Sequence, residues 1–255
     1  MGVYDIIVFN RSFNDFSNIA FRGNSYETLE AYARKVETRV DKKTRVETRT
    51  IISSPDELAA ATLEGFTVTE DMLGNYSQTT YGRTAPSRSS EETPDGLYHL
   101  HFVPKKLTRE VSAVLHIEGL NNIRSATCRL SGVAESIFLA TGKTSANTVT
   151  QEFTPSNPEF SPGSPFNGTL SCEFEIFGLN VIDNNNLHLD ALLVDGKTEF
   201  EGDCTNVKIT ENDDGTGSVT LILEASTEKV PDVKPEGGAG SGFDVDVDGW
   251  GNEIN

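Results

Sequence analysis

The sequence predicts a mainly β protein, a sandwich of antiparallel sheets, on three observations. Short segments alternate apolar and polar residues: Val111, Ala113, Leu115 and Ile117 are apolar, with Ser112, His116 and Glu118 between or after them. Leu170, Cys172, Phe174 and Ile176 alternate with Ser171, Glu173 and Glu175, and Val219, Leu221 and Leu223 with Ser218 and Thr220. Period two with polar partners marks half-buried antiparallel strands. Two Asp-Gly pairs, Asp195-Gly196 and Asp214-Gly215, lie between such segments and supply the positive φ angles of tight hairpins. Seven or eight short strands then fit into about 140 residues, which is the density of a two-sheet sandwich.

The strands are expected in order. In the first part of the chain they fall over residues 4–10, 46–52 and 97–103, while 35–50 reads equally as helix or strand. Ser54-Pro55-Asp56-Glu57 has the form of a capping box with proline at the first helical position, ahead of Leu58-Ala59-Ala60-Ala61, and predicts a helix. Asn24 with Glu27 repeats the device ahead of Leu29, Tyr32 and Val36. Thr69 to Leu73, stopped by Gly74, predicts a single helical turn. In the second part, strands are expected around 111–117, 126–130, 170–176, 187–194, 197–201, 207–210 and 218–223. The inward parity of Cys128 and Cys172 makes them core thiols.

Charge divides the chain. Residues 1–106 hold 15 acidic and 13 basic side chains, whereas residues 107–255 hold 24 acidic and 8 basic. The shift falls beside Pro104, which disfavours helix before it and cannot donate in a sheet ladder. Two domains follow, 1–106 and 107–255. Residues 84–96, polar and carrying two prolines, read as a surface loop. The net charge of −18 argues against nucleic acid as a partner, because phosphate binding needs a cationic face. No apolar run reaches the roughly 18 residues of a spanning helix. Met1-Gly2-Val3-Tyr4 leads into an apolar run too short for a signal segment and interrupted by Asp5. That leaves a cytoplasmic protein, or a fragment whose export segment lies upstream.

The motifs that resemble chemistry fail on inspection. Gly142-Lys143-Thr144 lacks the first glycine of a phosphate loop, since position 137 is Ile137; Gly196-Lys197-Thr198 fails likewise at Ala191. Asp244, Asp246 and Asp248 match the opening of a calcium loop, but Asn255 stands where its glutamate should be. Phe243, Val245 and Val247 alternate with those aspartates as a strand would, behind a glycine-rich joint over 237–242. His99 and His101 share a strand face without a third zinc ligand nearby. There is no nucleophile elbow, and three scattered cysteines make neither a disulfide framework nor a structural zinc site. No catalytic, metal or cofactor residues are assigned, and the protein is read as not an enzyme.

Several stretches resemble the fimbrillin-like outer-surface lipoproteins of Bacteroidales. They are Val8-Phe9-Asn10-Arg11 with Phe16-Ser17-Asn18-Ile19-Ala20, Tyr26-Glu27-Thr28-Leu29-Glu30-Ala31-Tyr32, Ile117-Glu118-Gly119-Leu120-Asn121, Leu130-Ser131-Gly132-Val133-Ala134-Glu135, Phe177-Gly178-Leu179, and the ending from Ser241 to Trp250. The resemblance implies two tandem transthyretin-like β-sandwiches, with a few short helices in the first. It also implies export to the outer membrane with a lipid anchor, and a fimbrial or adhesive role. The chain departs from the family at its start: the export signal, its lipidated cysteine and the leading strands of the first sandwich are missing from it. A sandwich without leading strands would accept one from another chain, so other fimbrial subunits are the implied partners by strand addition, besides a host or bacterial surface ligand. Phe243, Val245 and Val247 are the candidate donor strand; pairing within their own sheet is the alternative. The competing function is a surface glycan-binding module, with Trp250, Tyr76 and Tyr81 as the candidate aromatics.

Overall fold

The computed structural model describes residues 1–40, 48–73, 91–92, 98–180, 185–213 and 219–235. Up to residue 106 its strands are β1 (Gly2–Phe9), β2 (Ile19–Arg22), β3 (Glu30–Ala33), β4 (Lys35–Val40), β5 (Thr48–Ile52), β6 (Ala59–Val68), β7 (Glu91–Glu92), β8 (Tyr98–His99) and β9 (Lys105–Lys106). Then come β10 (Arg109–Glu118), β11 (Ile123–Ala134), β12 (Ser136–Phe138), β13 (Thr148–Phe153), β14 (Asn157–Phe160), β15 (Asn167–Ile176), β16 (Leu187–Leu193), β17 (Glu199–Asp203), β18 (Thr205–Asp213) and β19 (Val219–Ser226). The protein is mainly β, as its alternating segments predict.

The larger sandwich pairs a five-stranded sheet, β14-β15-β10-β19-β18, with a six-stranded one, β17-β16-β11-β13-β5-β4. On β10 the alternate residues Val111, Ala113, Leu115 and Ile117 are buried, and on β16 so are Leu187, Leu189, Ala191 and Leu193. These are the inner faces. They meet directly where Phe153 of β13 stacks on Phe174 of β15, ring centroids 4.3 Å apart. Most pairings are antiparallel, but β10 runs parallel to β19 and β13 parallel to β5. Parallel neighbours need a long crossover, and here the chain between them passes through the other sheet. Cys128 is buried in this core, and Cys172 is partly buried against it.

A smaller sandwich lies at the other end of the same core. Its sheets are β1-β6-β9 and β12-β3-β2. Phe9 on β1 stacks on Phe21 on β2 at 5.3 Å, and Phe13 and Phe16 close edge-on around Phe21. The β1–β6 ladder is interrupted by a bulge between Tyr4 and Ile6. Gly65 takes it up with φ of +67°, a conformation that suits glycine, and donates its N–H to Asp5 Oδ1 at 2.8 Å.

The two stretches expected as separate domains share sheets. β5 pairs with β13, and β3 pairs with β12, so the expected division at residue 106 is crossed by backbone pairing twice. At the second crossing Glu30 is buried and accepts from Arg22 Nε at 2.6 Å and from the Ser136 hydroxyl. The Arg22 guanidinium beside it holds the Glu30 carboxyl below its ordinary value, against the opposing effect of burial.

The two capping-box expectations are corrected. Ser54 does not cap a helix: its hydroxyl accepts from the Glu175 N–H at 2.9 Å and lies 3.1 Å from the Glu175 carbonyl, where it donates. Asp56 accepts instead from the Asn18 N–H at 2.7 Å. With both polar groups committed to distant backbone, Ala59-Ala60-Ala61 enters β6, where pairing with β1 outweighs alanine's helix preference. Asn24 to Leu29 makes one tight turn, tied by Thr28 Oγ1 accepting from the N–H of Ser25 at 3.1 Å, and β3 follows at once. Of the ambiguous stretch 35–50, the described residues are strand, in β4 and β5. The expected turn before Gly74 is present as a short helix, Glu70–Leu73. The strand expected over 97–103 is reduced, among the described residues, to β8.

Two outcomes follow. Proteolytic cleavage within residues 84–96 is expected to leave two fragments that co-elute on native gel filtration and part only in denaturant. Separation without denaturant would contradict the shared sheets. Glu30→Gln is expected to cost about 1–2 kcal/mol at neutral pH by urea unfolding. Because the native carboxyl is held low, that difference is present above the unfolded value near pH 4 and closes as the pH falls through the native one.

Candidate functional site

The candidate donor strand, Phe243, Val245 and Val247, lies outside the described residues, as do the candidate glycan aromatics Trp250, Tyr76 and Tyr81. Two surface features remain: the edge of the smaller sandwich, and the outer face of the larger one.

The edge is β1. Among the described residues it pairs on one side only, with β6. Val3, Tyr4 and Val8 on it are exposed, at 68%, 52% and 36%. An unpaired row of N–H and C=O groups with apolar side chains beside it is a template for a further strand.

The outer face is polar and arises from the same alternation that builds the core. If Leu187, Leu189 and Ala191 of β16 point inward, then His188 and Asp190 point outward. The hairpin to β17 turns around Asp195-Gly196, whose glycine has φ of +68°. Asp195 Oδ1 accepts from the N–H groups of Lys197 and Thr198 at 3.0 and 2.9 Å. That turn sets the register: Asp190 lies opposite Glu201, and His188 opposite Asp203. On the other side Arg129 of β11 lies opposite His188, and Glu152 of β13 opposite Arg129.

A ladder of charge crosses four strands in consequence. Arg129 Nε donates to Glu152 Oε2 at 2.9 Å, and its Nη1 is bonded to Asp190 Oδ2. Burial works against the Arg129 charge, but Asp190 and Glu152 outweigh it and raise its pKa. His188 Nε2 lies 3.2 Å from Asp190 Oδ1, and His188 Nδ1 2.8 Å from Asp203 Oδ1. Beside the ladder is an open depression of about 290 Å³, lined in part by Thr127, Arg129, Phe200 and Glu201.

The other motifs lie elsewhere on the surface and in the core. Gly142-Lys143-Thr144 follows a turn in which the Gly142 N–H donates to the Phe138 carbonyl, and Gly196-Lys197-Thr198 is the hairpin just described. His99 and His101 are exposed and belong to no group of three metal-capable side chains among the described residues. Burial pushes the Cys172 and Cys204 thiols up to about 11 and raises Cys128 well above its ordinary value, which disfavours the thiolate a nucleophile needs. The sequence reading missed the grouping of His188, Asp190 and Glu201. The signal was the Asp195-Gly196 hairpin, from whose centre the opposite pairs can be counted.

A family model described as a domain of unknown function (DUF5119) matches residues 1–154. The chain belongs to this family. The DUF5119 segment ends directly after β13, so both pairings that cross residue 106, β5 with β13 and β3 with β12, lie inside it. No curated protein matches the chain. Among solved structures it is similar to three proteins of Bacteroides, each described as a candidate adhesin. One, from Bacteroides ovatus, is 16% identical with a TM-score of 0.49 over 79% of this chain and 65% of that one. Another, from Bacteroides thetaiotaomicron, is 13% identical with a TM-score of 0.37, over 79% and 59%. A third, also from Bacteroides ovatus, is 10% identical with a TM-score of 0.33, over 79% and 55%. The DUF5119 chain thus spans between 55% and 65% of their lengths.

Arg129 bridges Glu152 and Asp190 in this ladder, and its loss strands two carboxylates. Arg129→Ala is expected to cost about 2 kcal/mol by urea unfolding, with Asp190→Ala in the same background recovering part of it. A cost below about 0.5 kcal/mol would mean the ladder is surface decoration.

Proposed function

We propose that this protein is a non-catalytic subunit of the bacterial cell surface, fimbrial or fimbria-associated, that takes part in adhesion and assembly. The observation that carries the reading is the edge of β1, which among the described residues pairs on one side only, with Val3, Tyr4 and Val8 exposed along it. Main-chain bonds to an added strand would give affinity there, and its alternate side chains would cover the apolar ones. The sequence resemblance to fimbrillin-like lipoproteins supports the same role. It supplies the finer details: outer-membrane location, a lipid anchor, other fimbrial subunits as partners, and tandem transthyretin-like sandwiches. The raised thiol pKa values argue against a cysteine nucleophile, which supports the non-catalytic reading for those three residues alone.

Antibody labelling of intact cells tests the location. Label on unpermeabilised cells is expected, and label that appears only after permeabilisation overturns the surface reading. Light scattering tests the assembly, on the full chain and on a chain ending at Glu236, each with and without a peptide of residues 241–250. Donation from the candidate strand Phe243, Val245 and Val247 predicts concentration-dependent oligomers that vanish on truncation, and peptide binding by the truncated chain. A monomer at all concentrations that binds no peptide removes self-donation and leaves a separate subunit as the donor.

A further inference from the structure

We propose that His188, Asp190 and Glu201 form a binding site for a divalent transition-metal ion of the zinc type, on the outer face of the six-stranded sheet. Each of the three offers one ligand atom, and these atoms all lie within 4.8 Å of one another. The tightest pair, His188 Nε2 and Asp190 Oδ1, is 3.2 Å apart. Two ligands on a tetrahedral ion with bonds of about 2.0–2.2 Å stand roughly 3.3–3.5 Å apart, so this pair is already at the spacing an ion would impose.

Backbone pairing rather than loop conformation sets the arrangement. His188 and Asp190 are two residues apart on one strand and therefore on one face, and Glu201 stands directly opposite Asp190 on the next strand. The Glu201 backbone is held in register, so closure on an ion falls to its side chain.

Two neighbours outside the group orient it. Asp203 lies opposite His188 and pairs with its Nδ1 at 2.8 Å. A carboxylate on Nδ1 favours the proton there and leaves Nε2, 3.2 Å from Asp190 Oδ1, as the nitrogen with a lone pair for a metal, the tautomer a ligating histidine needs. Arg129 binds Asp190 through Oδ2, which leaves Oδ1 facing His188. The same arginine offsets only part of the local charge, since Glu152, Asp190, Glu201 and Asp203 are all acidic.

The donor set decides the class of ion. One imidazole nitrogen with two carboxylates suits zinc and its first-row neighbours, whereas calcium and magnesium take all-oxygen shells. Three protein ligands leave a fourth position for water or for a donor from another molecule. The competing arrangement is an imidazolium held between Asp190 and Asp203, in which Glu201 has no part. The two differ in whether Glu201 matters.

The test is calorimetric titration of the chelator-treated full chain with zinc chloride, and separately with calcium chloride. The proposal predicts saturable binding of a single zinc ion and no comparable calcium heat. His188→Ala and Glu201→Gln should each weaken zinc by at least tenfold, and Asp203→Asn by about tenfold through loss of orientation. His99→Ala with His101→Ala should leave binding unchanged. Melting curves in chelator show whether each variant is folded, and a variant that melts early is replaced by His188→Gln or Glu201→Ala. Absence of saturable zinc binding, or binding undiminished in folded variants at both His188 and Glu201, overturns the proposal.

Discussion

The rest of the structure depends on the parallel pairing of β5 with β13. It closes one side of the larger sandwich with residues that lie about a hundred positions earlier in the chain, Ile51 and Ile52, both buried. Closing so long a loop costs conformational entropy, though the cost grows only slowly with length. Local polar bonds make the junction specific. Ser54, just past β5, exchanges hydrogen bonds with the Glu175 backbone, and Gln151 Nε2 donates to the same carbonyl at 2.8 Å. Lys106, at the end of the first stretch, reaches Glu175 Oε1 at 2.7 Å. Three segments far apart in sequence thus converge on one residue of β15. A family segment that ends just after β13 contains the pairing whole.

That junction also explains which parts of the fold were legible. Strands such as β10, β15, β16 and β19 carry their burial in their own alternation, so Val111 to Ile117 reads correctly without knowledge of any partner. Ser54-Pro55-Asp56-Glu57 does not. Its local pattern favours a helix, and only the distant backbone of Glu175 and Asn18 diverts its side chains. Information about that competition is not present within the window. The same holds for the expected division at residue 106: the change in charge is real in the sequence, yet backbone pairing crosses it at β3 with β12 and β5 with β13.

The outer-face group sits between these cases. His188, Asp190, Glu201 and Asp203 are unremarkable singly, as surface polar residues on alternating strands. A hairpin turn centred on Asp195-Gly196 converts their sequence positions into opposite pairs, so a β16–β17 hairpin by itself implies their meeting. It does not imply Arg129, because β11 reaches β16 through a sheet order that the sequence does not state. The phenylalanines of the smaller sandwich show a similar limit: Phe9, Phe13, Phe16 and Phe21 lie close together in sequence, but the local pattern does not state that β1 and β2 fall in different sheets whose faces bring the rings together.

Edges distinguish the two sandwiches. In the larger one, β17 presents Glu199, Glu201 and Asp203, while β18 presents Lys208, Glu211 and Asp213. β14 carries Pro158, which cannot donate to a neighbouring strand. Charges and proline on an edge are the usual means of keeping a sheet from pairing with another molecule. In the smaller sandwich β1 has Val3, Tyr4 and Val8 exposed, with Asp5 turned to the Gly65 bulge rather than left free to guard the edge. The concentration of acidic residues after position 106 therefore has a structural consequence. It places charge along these sides of the larger sandwich, whereas the exposed side chains named on β1 are apolar. Recognition through that edge would be set by backbone bonds and apolar fit, while the acidic face of the other sandwich would set which charged surfaces can approach at all.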